Sequence, residues 1–481
     1  MSGRSDSEAQ GTFWIALAGA PWLTNAALLL FGLLIIQFCR TGVLEYQHYT
    51  YGFSADVFAQ LALYLGALAM VERCPTDKWT LPIIFTIALL ARLVCIFHPA
   101  FLSTDVYRYV WDGRVQGAGI NPFRYIPADR HLNFLRDTSI YPNINRRDYA
   151  HTIYPPGAQA IFFAVTRLGA SEPLMKLAMT GFEAVTCLVL MKILTLVNLP
   201  RERVLLYAWN PLCLWEIASS GHVDAAALTF ISLALYASIR DHRTQASAWL
   251  GLATLVKMYP IVLLPAMLSL PLHKRSRRRL AIAVATTLGV IGLGYSCYAT
   301  VGAGVFGFLP AYAQEEGLAS GSRYFPLTFM DRLLHRNIPP AVYLAICAVG
   351  MLALCLWALR RGATRNASIF SALVIATVLN LCYAPHYPWY FLWLLPSLTI
   401  YPWRPAFYLV TAATFLFATQ LGAPGEPMYL LNKLLYGGFL FVLAYDLLNS
   451  YLVPRIRAFG QSIYQPRAPV LAEQLADARE L

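Results

Sequence analysis

Charge is scarce in this chain. Asp, Glu, Lys and Arg together make up 13% of its 481 residues, while 58% are hydrophobic. Soluble domains are nearer half apolar and a quarter charged, so an ordinary soluble globular protein is excluded. Cysteine is sparse where it would matter. The nine cysteines (Cys39, Cys74, Cys95, Cys187, Cys213, Cys297, Cys347, Cys355 and Cys382) lie almost wholly in apolar blocks. None falls in the long polar stretches 99–153 and 301–338, and no pair has metal-ligand spacing. That pattern excludes a disulfide framework and a zinc site. The chain shows no internal repeat and no separate soluble domain.

What the chain has is apolar length. The blocks 13–38, 174–197, 280–300 and 341–359 carry almost no charge, and each reaches the roughly 20 residues that cross a bilayer core. The expected architecture is an all-α polytopic membrane protein with about 11–14 transmembrane helices. The net charge of +12 suggests nucleic acid at first sight, but its placement argues otherwise. Basic residues cluster in short loops at 240–243, 273–279, 360–365 and 455–457, the positive-inside pattern of a membrane protein. Ala18-Gly19-Ala20 is like a signal cleavage site, yet Pro21 follows and the apolar run continues to Phe38, which reads as an uncleaved first helix.

With the basic loops in the cytoplasm, helices are expected at 13–38, 54–71, 79–97, 174–197, 204–219, 223–239, 280–300, 341–359, 367–384, 389–402, 405–421 and 429–450. The run 156–168 is short and reads as an interfacial or re-entrant helix. The segment 246–270 has basic clusters on both sides and Lys257, Tyr259 and Pro260 at its middle. Proline breaks the helical ladder there, so a hairpin of two short helices or one kinked helix is expected. Residues 1–453 then form one membrane-embedded domain with outer loops 99–153 and 301–338, and 454–481 a cytoplasmic tail.

The first outer loop holds seven arginines, against the charge rule for an outside segment. It opens with Asp105-Val-Tyr-Arg-Tyr-Val-Trp-Asp-Gly-Arg114. On a helix Asp105, Tyr109 and Asp112 share a face, which sets two carboxylates and a phenol at the mouth of a membrane cavity. A carboxylate there can serve as general base toward a hydroxyl, or simply cap a surface helix. Further on, Glu216, His222 and Asp224 converge on one outer turn, as polar glue between helices or as a metal site, for which a single histidine is weak evidence. Lys257 is a lone cation in an apolar segment, about ten residues from either end, and a phosphate partner explains it better than snorkelling. Pro385-His386-Tyr387-Pro388-Trp389-Tyr390 is an aromatic cluster at another outer turn: an interfacial belt, a sugar platform or a lid.

Taken together, the Asp105–Arg114 motif, Gly119-Ile-Asn-Pro-Phe123, Tyr154-Pro-Pro, Trp209-Asn-Pro, Gly221-His222-x-Asp224, Lys257-x-x-Pro260 and Pro388-Trp389-Tyr390 resemble landmarks of the GT-C membrane glycosyltransferases. The similarity is greatest to the branch around glycosyltransferase family 87 and polyprenyl-phosphate-mannose-dependent mannosyltransferases. It implies an inverting transferase that moves a hexose, mannose by the branch, at the outer face of a bacterial plasma membrane. Asp105 matches the catalytic base, and His222 and Lys257 match positions near the donor phosphate. The other residues expected at the substrate are Arg108, Tyr109, Asp112, Arg114, Tyr154, Glu216, Asp224, Tyr259, His386 and Trp389. Outer-loop arginines would be anion ligands, which answers the charge anomaly. The implied partners are a polyprenyl-phosphate sugar, a lipid or glycan acceptor and membrane lipids, with no nucleic acid, cofactor or metal. A transporter or flippase of a lipid-linked sugar is the alternative, but transporters show paired broken helices and internal repeats, and only one broken segment is evident. An oligosaccharyltransferase would call for a metal on paired acids; Glu315-Glu316 is a poor match.

Overall fold

The computed structural model describes residues 20–45, 50–268, 277–361, 367–420 and 426–452. The expected start of the first helix at 13, His48, the basic residues at 273–276, Arg365 and the tail from 454 lie outside them. Every regular element among the described residues is helical. In chain order the main helices are α1 (Pro21–Glu45), α2 (Thr50–Arg73), α3 (Thr80–Ile96), α4 (Asp105–Gly117), α5 (Pro156–Leu168), α6 (Glu172–Leu196), α7 (Asp224–Ile239) and α8 (Arg243–Val256). They continue with α9 (Arg277–Ser296), α10 (Leu309–Glu315), α11 (Phe325–Leu334), α12 (Pro340–Arg360), α13 (Ala367–Tyr383), α14 (Arg404–Ala412) and α15 (Glu426–Leu447).

The protein is an integral membrane protein. Among the described residues six helices (α1, α2, α6, α9, α12 and α15) are long and apolar enough to cross a membrane, and a seventh span counts if one sharply bent pair is a single crossing. At 25 residues, α1 rises about 37 Å, more than the roughly 30 Å hydrocarbon core. α12 has only 6% of its most apolar window buried, and Ile346 and Val349 are 66% and 68% exposed. A stripe of that kind is untenable in water and natural against lipid.

The count falls below the 11–14 spans expected because several apolar segments are broken. The stretch 204–219 is not one helix. It is a 3-10 turn (Arg201–Val204), a single α turn (Leu205–Ala208) and a π-helical segment (Cys213–Ser219), interrupted at Asn210-Pro211. The last of these meets α7 at 118°. Likewise 389–402 is a 3-10 segment (Pro388–Leu394) followed by Leu395–Ile400, and 405–421 splits into α14, Ala413–Leu416 and Phe417–Gln420. Pro211 interrupts the first of these stretches and Pro388 and Pro396 lie in the second, each lacking a backbone donor. Irregular backbone at membrane depth persists only where it is buried in protein or lines a cavity.

The segment 246–270 is broken at Lys257, which is extended (φ −139°, ψ 140°) between α8 and the 3-10 turn Tyr259–Leu263. Arg243 Nη1 and Ser238 Oγ both donate to Met267 O, so the chain returns to the end where α8 began.

Two ends of the bundle are thereby distinguished. At one, Arg203 makes a two-point ion pair with Glu72 (2.6 and 2.8 Å), and helix direction brings Arg240, Arg243, Arg277–Arg279 and Arg360 to the same end. At the other, Glu172 at the start of α6 accepts from Ala100 N (2.6 Å), and α4, the turn before α7, Lys257 and the second long loop gather. A buried ion pair ties the middle: Arg92 of α3 holds both oxygens of Glu183 on α6 (2.9 and 3.0 Å) and donates to Ala208 O (2.8 Å). Buried pairs of this sort specify an arrangement more than they stabilise it.

Candidate active site

The approach to Asp105 is stapled to α6. Lys176, with no exposed side-chain surface, pairs with Glu172 (2.6 Å) and donates to His98 O (2.6 Å). Asp105 is the first residue of α4, where the helix dipole favours an anion. Asn145, far along the first long loop, donates to Asp105 Oδ1 at 2.6 Å. Asp105 faces a cavity of about 560 Å³ that Asn145, Tyr154 and Lys257 also line.

The rest of α4 turns elsewhere. Tyr109 is buried one turn below, stacked on Phe162 (4.5 Å) and edge-on to Tyr154 (4.8 Å). Asp112, 1% exposed, pairs with Arg108 (2.8 Å) and accepts from Gln159 (3.0 Å), which also donates to Thr152 Oγ1. The expectation of two carboxylates at the mouth is therefore corrected: Asp105 lines the cavity and Asp112 does not, because its own arginine one turn back has claimed it. Arg108 does reach the cavity wall while holding Asp112 and Ala150 O. Arg114 lies off the lining, paired with Asp137 (2.6 Å) and Ala170 O. Burial first, and then the charge of Asp105, push the Tyr154 phenol well above its ordinary range, so it acts there as a neutral hydrogen-bonding group.

The turn before α7 builds the floor. Gly221 has φ +73°, and a Cβ there would stand 2.9 Å from Val106 Cγ2 and 3.2 Å from Lys176 Cγ. Only glycine lets this turn press against α4 beside Asp105. Glu216 lies on the π-helical segment, a form often found at functional sites. Its Oε2 is 3.0 Å from His222 Nδ1, both fully buried, at ion-pair distance without the alignment of a hydrogen bond. Neither residue lines the cavity; His222 sits behind Trp389 (ring centroids 4.5 Å). Asp224, also fully buried, meets Lys257 Nζ at 3.0 Å and accepts from Trp393 Nε1 at 3.1 Å. Lys257 and Tyr259 both line the cavity.

The second long loop and the turn after α13 close the other side. Tyr312 and Glu316 from that loop line the cavity, as do Tyr383, Tyr387, Trp389 and Tyr390. Arg146 of the first loop meets Glu315 (2.7 Å) and Glu316 (3.5 Å), and Arg323 also binds Glu316. Both acids of the weighed metal pair are thus engaged by arginine. Tyr387 stacks on Trp389 (4.4 Å, 8°) under the Arg323 guanidinium (5.2 Å). Trp389, expected as belt, platform or lid, lines the cavity and covers His222. His386 lies off the lining; burial and then Arg323 lower its pKa to about 4, so it is neutral at pH 7. The loops are latched elsewhere too: Asn121 donates to Thr300 Oγ1 (2.9 Å), and a Cβ on Gly307 (φ +52°) would meet Thr152 O at 1.7 Å.

Asn145, Arg146, Tyr312 and Tyr383 were not singled out from sequence. The first three lie in polar or mixed stretches with no apolar contrast to mark them, and Tyr383 ends the apolar helix α13, where a tyrosine does not stand out. The signal on offer was the excess of arginine in the first loop and the adjacent acids in the second.

A family model described as alpha-(1->6)-mannopyranosyltransferase, N-terminal domain, matches residues 17–273, just over half of the chain. No curated protein and no solved structure matches.

Proposed function

The chain belongs to the alpha-(1->6)-mannopyranosyltransferase family and is a membrane mannosyltransferase; from that premise we propose that it takes mannose from a polyprenyl phosphate, at the outer face of a bacterial plasma membrane, with inversion. The reading is carried by one observation: a carboxylate and an ammonium, Asp105 and Lys257, face the same cavity.

In this reading Asp105 removes the proton of an acceptor hydroxyl as that oxygen attacks the anomeric carbon. The bond between that carbon and the phosphate oxygen breaks, and the phosphate leaves with both electrons of the bond. Lys257 holds the departing charge, exchanging part of its contact with Asp224 for the phosphate. Asp105 then passes its proton to water. The family description names an α-(1→6) product, so the attacking group is a primary hydroxyl on C6 of a hexose, and inversion to an α product requires a β-linked donor. Arg108, lining the same wall, adds positive charge. The phenols of Tyr312, Tyr383 and Tyr387 suit sugar hydroxyls, and the apolar lining at Phe101, Leu102 and Met258 suits the first carbons of a lipid tail.

Topology supports the outer side. Among the described residues, Arg203, Arg240, Arg243, Arg277–Arg279 and Arg360 collect at the end of the bundle away from Asp105, as the positive-inside rule demands of the cytoplasmic end. The first-loop arginines near the cavity, including Arg108 and Arg146, then sit outside as ion-pair partners and anion ligands. Family membership favours an enzyme over the transporter alternative.

The test is transfer by the purified protein in liposomes. With β-configured polyprenyl-phosphate [¹⁴C]mannose and a short α-(1→6) oligomannoside, a longer α-linked product is expected; with nucleotide-linked mannose, none. Transfer from the nucleotide sugar alone would refute the lipid donor.

A further inference from the structure

Only the first residue of α4 reaches the cavity as an acid, and the side chain that holds it comes from forty residues further on: Asn145 Nδ2 donates to Asp105 Oδ1 at 2.6 Å. Such a short, charge-assisted bond is strong and directional. It restricts rotation of the carboxylate, so that the base faces one direction. The next residue, Arg146, has φ +50°, a left-handed backbone that side chains other than glycine adopt at a cost. Its side chain is held from outside the first loop. Nε meets Glu315 Oε1 at 2.7 Å, Nη2 meets Glu316 Oε1 at 3.5 Å, and the guanidinium lies over the Tyr312 ring at 5.6 Å. Glu315 and Tyr312 belong to α10, and Glu316 follows it directly.

We infer that Asn145 is a positioning residue for Asp105, and that α10 keeps its amide on target by gripping Arg146. The base is carried by the first outer loop but aimed by the second. The loop 301–338 thereby becomes part of the working site without touching the reacting atoms. The inference rests on the base role proposed for Asp105.

The experiment uses the full chain in liposomes with polyprenyl-phosphate mannose, measuring kcat, donor KM and thermal unfolding in detergent. Displacing a catalytic group by about 1 Å can cost about 10²-fold. Asn145→Ala and the near-isosteric Asn145→Leu, which lacks the N–H donors and adds no charge beside Asp105, should therefore each lower kcat by about 10- to 10²-fold. Donor KM should stay within about twofold, as for an interaction that acts in the transition state, and the unfolding temperature should not move. Added to Asp105→Asn, Asn145→Ala should cost nothing further, since residues acting as a unit are not additive. Arg146→Gly keeps the left-handed backbone but frees it from α10, and should reproduce part of the kcat loss.

Wild-type kcat in Asn145→Leu, or an equal loss in both backgrounds, would overturn the positioning role in favour of packing. Wild-type kcat in Arg146→Gly would remove α10 from the scheme. An inactive Asp105→Asn beside an unimpaired Asn145→Ala defeats this inference alone, whereas an active Asp105→Asn defeats the base assignment and this inference with it.

Discussion

Replacing Lys257 with methionine should do two separable things, because its partner Asp224 is fully buried. The ammonium and carboxylate are 3.0 Å apart, with side chains 20% and 0% exposed. At an effective dielectric of about 20, two unit charges at that distance attract by about 5–6 kcal/mol. Removing one member of a buried pair usually destabilises by about 3–5 kcal/mol, since the other charge is left uncompensated. Lys257→Met should therefore lower the unfolding temperature sharply. The double variant Lys257→Met/Asp224→Asn removes both charges and leaves a group that still accepts from Trp393, so most of that stability should return. Donor affinity should not return. A charged hydrogen bond to phosphate contributes about 1.5–3 kcal/mol, a factor of about 10 to 150 in Kd. The assay pairs thermal unfolding in detergent with binding of labelled polyprenyl-phosphate mannose. A refolded double variant that binds donor like the wild type would show that Lys257 serves only as the counter-ion of Asp224.

Gly221→Ala, strained at φ +73° and in collision with Val106, adds overpacking to backbone strain and should destabilise by about 2–5 kcal/mol and slow transfer. Gly119→Ala, at φ +76° with open space around it, should cost only about 1–2 kcal/mol; equal losses in both would remove the contact argument. The lowered pKa of His386, about 4, means that the folded chain binds fewer protons than the unfolded one between about pH 4 and the usual histidine pKa of about 6.5. Stability should thus fall as pH drops through that window, by up to about 3 kcal/mol, and His386→Gln should flatten the pH dependence of the unfolding temperature. For topology, in a Cys297→Ser background, a cysteine at Asn133 should react with a membrane-impermeant maleimide on intact cells and one at Arg240 should not; the reverse labelling would turn the protein over.

Long, uncharged runs were the easiest elements to read. α6, α9 and α12 stand close to where apolar length alone puts them, since nothing in those segments competes with a continuous helix, whereas α1 runs on to Glu45, seven residues past the expected end at 38. Legibility fails at proline-bearing apolar stretches. Composition at 204–219 and 389–402 says membrane, but Pro211, Pro388 and Pro396 fragment the backbone, and hydropathy does not register a missing donor. At Lys257 the break was readable, because a charge and a proline lie together in mid-segment. Within the candidate site, Asp105, Tyr154, Lys257, Tyr259 and Trp389 are brought to one cavity, and local pattern was enough to mark them. Asp112 shows the limit of helical periodicity: the face was right, yet Arg108 one turn earlier and Gln159 from α5 took the carboxylate out of play. Asn145 meets Asp105 across forty residues, and Arg146 and Tyr312 depend on two long loops meeting, a contact between residues some 169 apart; no local pattern encodes either.

The central claim is most directly tested by the single-turnover rate of mannose transfer in Asp105→Asn, at saturating lipid donor, in protein whose unfolding temperature matches the wild type. Loss of a general base from an otherwise intact site should cut the rate by about 10²- to 10⁴-fold while labelled donor still binds at Lys257. A rate within a few-fold of the wild type would mean that the proton leaves by another route, and that the acid at the head of α4 is not what drives the reaction.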